Sequence, residues 1–292
     1  MRSADLFQPH PAFPPEVAHR APPAGHWPPA WAVAWGDDRF GLWADLEVGR
    51  VVQRFRWIEP GSFLMGSPKT EPERSSDEGP QHRVTLTQGF WLADTACTQA
   101  LWLAVVGGEN PSRFKGSDDL PVDNVSWDDV MEQFVPKLQV LLPEGVEAAL
   151  PSEAQWEYAC RTGTHTPFSF GKQINPAQVN YNGNQPYNDG QKGEYREKTV
   201  PVKALPANRW GLFQMHGNVW EWCLDERRTY TDAEAVDPLG AVGDGPRALR
   251  GGAWFYNARH ARTTFRYVYE RDGRWFYFGF RVALKLKPSP GA

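Results

Sequence analysis

The chain has 292 residues and a net charge of -4, with charged residues at 23% and both signs well mixed. That balance lacks the basic footprint of a nucleic-acid-binding protein. No apolar run reaches the 18 residues or more of a membrane span.

The length suggests one large or two average domains, and 41% hydrophobic residues are enough for a sizeable core. Fourteen Trp, 27 Gly and 26 Pro point to short elements joined by structured loops. Cys97, Cys160 and Cys223 are odd in number and widely spaced. They fit neither a disulfide framework nor a zinc site, so burial as small hydrophobes in a reducing cytoplasm is expected. The opening residues lack the apolar stretch of a secretory signal, which agrees with a cytoplasmic location.

Residues 1–35 read as a Pro-rich, extended or weakly ordered arm, and residues 36–288 as the folded domain. Residues 39–48 and 51–58 predict two strands around a glycine turn. A short apolar strand follows at Phe63-Leu64-Met65, then a charged loop over residues 69–81 and an alternating strand over 83–87. Three helices carry start signals. Thr98 can cap one that stops at Gly107-Gly108. Ser126 with Asp129 opens a second, which Pro136 should kink or split. Ser152 with Gln155 opens a third, closed by Gly163. Beyond it lie over 120 residues of loops and short strands with no internal repeat; so long an irregular stretch tends to be functional.

Eight blocks occur in this order: FLMGS, GFWLADTACTQALW, ENPSRF, LPVDNVSWDD, LPSEAQWEYACRTGT, GLFQMHGNVWEW, LRGGAW and GFRVA. Together they resemble the formylglycine-generating enzyme, or sulfatase-modifying factor, family over roughly residues 54–284. The resemblance implies an α+β domain: an irregular, loop-rich variant of the C-type lectin fold. The oxidases of that family carry two cysteines after the GGS-aromatic motif, the second five residues beyond the first. Here the motif reads Gly251-Gly252-Ala253-Trp254, and Tyr256 and Ala261 stand at those positions. Neither can form a thiolate or bind copper(I). A second branch binds iron through histidines of an added helical domain, for which there is no room before residue 54. No catalytic residues, copper or iron are expected.

The resemblance also implies structural calcium. One ligand set would be the side chains of Gln214 and Glu221 with the carbonyls of Gly217 and Val219; the family has Asn or Asp in place of Gln214. The other would be Asn180, the Tyr181 carbonyl, Glu194 and the Arg196 carbonyl. Calcium takes six to eight hard oxygens; the alternative is loop-pinning hydrogen bonds with no metal. The seven histidines show no metal-ligand spacing, and His216 reads as a structural histidine. Residues 240–245 lack the Lys-Ser/Thr and following helix of a P-loop. Asp225 and Glu226 have no further support as a catalytic pair.

The terminal segment, residues 249–281, carries the functional signal. Eleven of the 27 residues from 254 to 280 are aromatic, against 13% chain-wide. A strand-rich core accounts for Trp254, Phe278 and Phe280. Arg259, Arg262, Arg266, Arg271 and Arg274 are interleaved, however, and a core cannot bury so many unpaired guanidinium groups. Tyr, Trp, Phe and Arg are the types enriched at interface hot spots. The segment also resembles the variable region of diversity-generating retroelement proteins, in which template adenines are randomised. Asparagine codons so treated can yield Phe255, Tyr256, Asn257, His260, Thr264, Phe265, Tyr267, Val268, Tyr269, Gly273, Phe276 and Tyr277. Trp275 joins this ligand-binding set only through a different template codon. Residues 253–281 are therefore expected to form a diversified binding site for an unknown ligand, a protein or other macromolecule, on a monomer. The alternatives are an oxidase with rearranged chemistry, marked by stoichiometric copper or iron, and a calcium-dependent lectin, marked by sugar binding.

Overall fold

The structure, a computed structural model, describes residues 27–286. Residues 1–26 of the expected arm and the last residues of the expected domain lie outside the described residues. Packing starts earlier than the composition suggests. Trp27 stacks on Trp91 with ring centroids 6.1 Å apart, and Trp31 meets the same ring edge-on at 5.5 Å.

β1 (Ala34–Asp38), β2 (Gly41–Val48) and β3 (Val51–Ile58) form an antiparallel meander, as expected from residue 39 onward. Gly49, at φ 64°, makes the turn between the last two. β4 (Gly61–Met65) pairs with β5 (His82–Leu86) across the charged loop. β6 (Phe90–Ala93) leads into α1 (Gln99–Val106). The hydroxyl of Thr98 accepts the Leu101 N–H, and Gly107, at φ 76°, closes the helix.

Ser126 and Asp129 cap each other's backbone as the capping box requires. The helix they open is interrupted rather than kinked: α2 (Trp127–Asp129), a π-helical turn (Val130–Phe134), then α3 (Val135–Gln139). The wide turn ends just before Pro136, whose missing N–H falls in the first turn of α3, where it costs least. β7 (Val146–Ala149) precedes α4 (Glu153–Arg161), which Ser152 and Gln155 cap and Thr162, at φ 49°, ends just before Gly163.

The last third supplies β8 (Trp220–Glu226), β9 (Ala235–Val236), β10 (Arg247–Arg250), β11 (Tyr267–Tyr269), β12 (Phe278–Phe280) and β13 (Ala283–Leu286). Three sheets result, in the orders β1-β2-β3-β6-β13-β7, β11-β10-β8-β12 and β4-β5-β9. β13 enters the largest sheet between β6 and the edge strand β7. Both ends of the terminal segment are thereby tied into sheets, at β10 and β13. The main core, including Trp91, Trp102, Trp220, Trp222, Phe278 and Phe280, joins the two larger sheets. A second core packs Trp156 of α4 on Met65, Phe90 and Met215.

Candidate functional site

β10 delivers the chain to Gly251 and Gly252, at φ 96° and 75°. A Cβ on Gly252 would lie 2.9 Å from backbone atoms of His260 and Ala261. The two glycines fold the segment back on itself. Ala253 and Trp254 then turn inward, Phe255 turns out, and a short 3-10 helix (Ala258–Ala261) follows.

The arginines are not a free surface. Arg262 is fully buried and donates to Glu71 and Glu78 at 2.6–2.7 Å. Arg266 forks onto Glu153 at 2.6 and 2.7 Å. Arg250 is held by Glu157, and Arg281 by Glu221. Arg271 reaches Asp128 at 2.5 Å, Arg274 forks onto Asp129, and Arg259 donates to the Glu73 carbonyl and the Ser75 hydroxyl. The expectation that a core could not hold these groups is corrected for Arg262 and Arg266, which are buried because carboxylates pair them, whereas Arg259 and Arg271 are only half-buried and Arg274 is exposed. Their carboxylates come from the loop over residues 69–81, from α4, from α2 and from β8, far away in sequence. The segment is pinned from beneath.

Above this network lies an aromatic face. Phe255 is 49% exposed and Trp275 40%. Tyr277 stacks against both, at 6.1 and 5.9 Å between centroids with interplanar angles of 5° and 6°. Tyr256, Tyr267, Tyr269, Phe276 and Tyr277 are half-buried. Tyr256 and Tyr267 rest on the buried Trp220 at 5.5 and 5.2 Å. The Tyr256 hydroxyl is hydrogen-bonded to those of Tyr277 and Tyr267; burial, first, and those bonds raise its pKa far above the usual phenol range. His260, half-buried against Tyr256 and Phe265, bonds the Asn257 amide oxygen through Nδ1. Trp254, Phe278 and Phe280 are buried, as the sequence indicates.

Four members of the expected ligand-binding set do not belong to the face. Thr264 is fully buried, its hydroxyl bonded to Glu71 and Glu78. Phe265 is buried against Trp220 and His260. Gly273 has no room for a side chain, since an added Cβ would run into the Tyr269 ring. Val268 pairs with Ala248 and alternates with Tyr267 and Tyr269, so it points to the opposite side of the sheet. Codon reachability carries no information about which way a residue points. Conversely, Trp220, Phe114 and Arg113 contribute from outside the segment. Phe114 meets Trp254 edge-on at 5.4 Å, and the Arg113 guanidinium lies 4.5 Å from the Phe276 ring centre. The ENPSRF and GNVWEW blocks contain these residues, but only the fold brings them here.

Tyr256 and Ala261, the positions at which the resemblance implies the oxidases' cysteines, lie at the face and beneath it. Ala261 is buried, and its carbonyl is 2.7 Å from His216 Nδ1. Cys160 Sγ is 3.7 Å from His216 Nε2, and burial pushes its thiol up to about 12. Cys97 and Cys223 are also free, buried and raised by burial. No cysteine here is poised as a thiolate.

Hydrogen bonds and ion pairs already engage side chains of both calcium sets. Both Glu221 oxygens are taken, by Arg281 and by the Trp156 indole N–H at 2.7 Å, and the Gln214 side-chain oxygen accepts from Asn218. With Gly217 and Val219 alone left, that set does not fit a cation. In the other, the buried Asn180 Oδ1 has no partner, as a ligand oxygen would require. Glu194, however, is exposed and paired with the Arg196 guanidinium at 2.8 Å. Among the described residues no cluster of three or more His, Cys, Asp or Glu could hold a metal.

Fold and site define a loop-rich α+β domain of C-type lectin type with an exposed aromatic face. The chain belongs to the sulfatase-modifying factor enzyme 1-like domain family, whose profile matches residues 46–286. It is 42% identical over 221 residues to the formylglycine-generating enzyme of Mycobacterium tuberculosis, covering 57% of this chain and 72% of that protein. Identity to the Streptomyces coelicolor enzyme is 30% over 240 residues, or 76% of this chain and 73% of that one. The bovine enzyme, 30% identical over 212 residues, matches across 67% of this chain and 54% of its own length, so the chain spans about half of that relative. Among solved structures, Treponema denticola variable protein 1 aligns with a TM-score of 0.69 and 25% identity, covering 84% of this chain and 99% of that one. PvdO from Pseudomonas aeruginosa gives 0.65 and 26%, over 87% and 99%.

Proposed function

We propose that this chain is a non-catalytic, monomeric ligand-binding protein. It presents the aromatic face of residues 253–281 to a macromolecular partner, and a diversity-generating retroelement varies that face. One observation carries the reading: the rings of Phe255, Tyr256, Tyr267, Tyr269, Trp275, Phe276 and Tyr277 are contiguous, with Phe255 and Trp275 exposed and the others half-buried, above a network of arginine–carboxylate pairs. The network beneath lets the face change while the fold stays. The diversified set contracts to those seven residues with Asn257 and His260. The likeness to a variable protein, and Tyr256 and Ala261 at the cysteine positions, support the reading. Calcium, if part of it, belongs to the Asn180 set. The buried free thiols accord with a reducing, cytoplasmic setting.

The test is the DNA around the gene. We expect a nearby near-repeat of the codons for residues 253–281 that differs at adenines, with a reverse transcriptase gene beside it. A complete genome with no such repeat would overturn the retroelement origin and leave ligand binding standing.

A further inference from the structure

Six arginines of the terminal segment are paired with carboxylates and a seventh, Arg259, donates to a carbonyl and a hydroxyl, whereas one arginine beside the face has no such partner. Arg113 is exposed, and its guanidinium lies 4.5 Å from the Phe276 ring centre and 5.8 Å from that of Phe114. Among the described residues that guanidinium takes part in no ion pair or hydrogen bond; its backbone N–H alone is engaged, by Asp123 at 2.8 Å. Lys115, two residues on, is also exposed.

The loop that carries Arg113 is held firmly. Gln99 donates to the Phe114 carbonyl at 2.7 Å and accepts from Asn110 at 2.7 Å. Asn124 donates to the Pro111 carbonyl at 3.1 Å, and the Ser112 hydroxyl accepts the Asp123 N–H. The carboxyl beneath the loop, Asp123, is turned to backbone N–H groups, and burial pushes its pKa up to about 7. It is a weak counter-charge at neutral pH. Asp118 and Asp119 are exposed further along the loop, and Glu194 is held by Arg196. A planar guanidinium resting on an aromatic ring keeps its N–H edge open, is weakly hydrated, and matches a carboxylate with two parallel hydrogen bonds.

We propose that the partner of the aromatic face is a polypeptide carrying an Asp or Glu side chain beside an apolar one, and that Arg113, outside the diversified segment, receives that carboxylate. The proposal rests on the reading of residues 253–281 as a binding face. It gives a variable surface a constant anchor: aromatic positions change the fit, while Arg113 demands one acidic group from every ligand.

A library of random linear peptides displayed on phage, panned on the full chain, tests it. Peptides that win should be enriched in Asp or Glu next to an aromatic or aliphatic residue. A winning peptide should bind Arg113→Gln about tenfold more weakly or worse, the scale of a charged hydrogen bond. Replacing its acidic residue by the amide should weaken it on the parent and barely change it on R113Q. Thermal melting of R113Q should match the parent. Peptides lost on the Phe255→Ser/Trp275→Ser variant but lacking acidic residues, or indifferent to R113Q, would overturn the proposal and leave the binding face intact. Absence of enriched peptides, or peptides indifferent to both variants, would overturn the binding face as well.

Discussion

Arg262 and Glu78 meet through two hydrogen bonds, at 2.6 and 2.7 Å, with neither side chain reaching solvent. The pair joins the loop after β4 to the segment that carries the aromatic face. Arg262 also reaches Glu71, so the guanidinium answers two carboxylates at once. Breaking such a pair strands a buried charge.

Replacing Arg262 by Met should therefore cost about 3–5 kcal/mol, as should Glu78→Gln in somewhat smaller measure. The double variant should cost clearly less than the two single losses together, because it strands no partner at this contact. Chemical denaturation of the four proteins reads this. Additive losses would mean that the pair does not act as a unit.

The face and its floor should respond differently to truncation. Phe255→Ser and Trp275→Ser combined should leave the melting temperature close to that of the parent, as exposed changes usually do within about 0.5 kcal/mol each. Phe265→Ala and Trp254→Ala, each on a buried side chain, should each cost about 3–5 kcal/mol. Phe265 is the sharper case, since codon reachability alone groups it with the face. Unfolding of the double variant would show that the exposed rings are core after all.

Much of the scaffold was legible in the chain. The caps at Thr98, Ser126 and Ser152, the first hairpin, and the burial of Trp254, Phe278 and Phe280 follow from local pattern and the glycine motifs. These are local properties, set by residues a few positions apart. What could not be read was pairing over distance. The partner of Arg262 is 184 residues away and that of Arg266 is 113. An arginine-rich stretch thus looked like a surface when Arg262 and Arg266 were in fact buried and answered by distant carboxylates. The same limit hid Arg113, which looks like any polar loop residue until the fold sets it beside Phe276.

The chemistry at the cysteine positions gives a third expectation. With Tyr256 and Ala261 there, and Cys160 raised to about 12 behind them, a peptide of the form Cys-x-Pro-x-Arg should leave incubation with the chain and copper unchanged in mass. Appearance of the cysteine-to-aldehyde mass difference would establish catalysis by another route and displace the binding proposal.

The last expectation concerns pH, where two groups under the face pull in opposite directions. Burial, then the neighbouring Arg259 and Arg262, lower the His260 pKa from 6.5 to about 4. A base whose folded pKa is depressed is held neutral by the fold while the unfolded chain takes up a proton. Its contribution to stability is present above about 6.5 and is lost as pH falls toward 4. Asp123 runs the other way: burial raises it from 3.8 to about 7, so its penalty grows as pH rises through that interval. Urea midpoints measured across this range should show His260→Gln losing less stability than the parent on acidification. Asp123→Asn should instead lose less than the parent as pH rises from about 4 to about 7. Proton NMR of the His260 ring supplies the independent check, and a titration near 6.5 would remove the basis for the first slope.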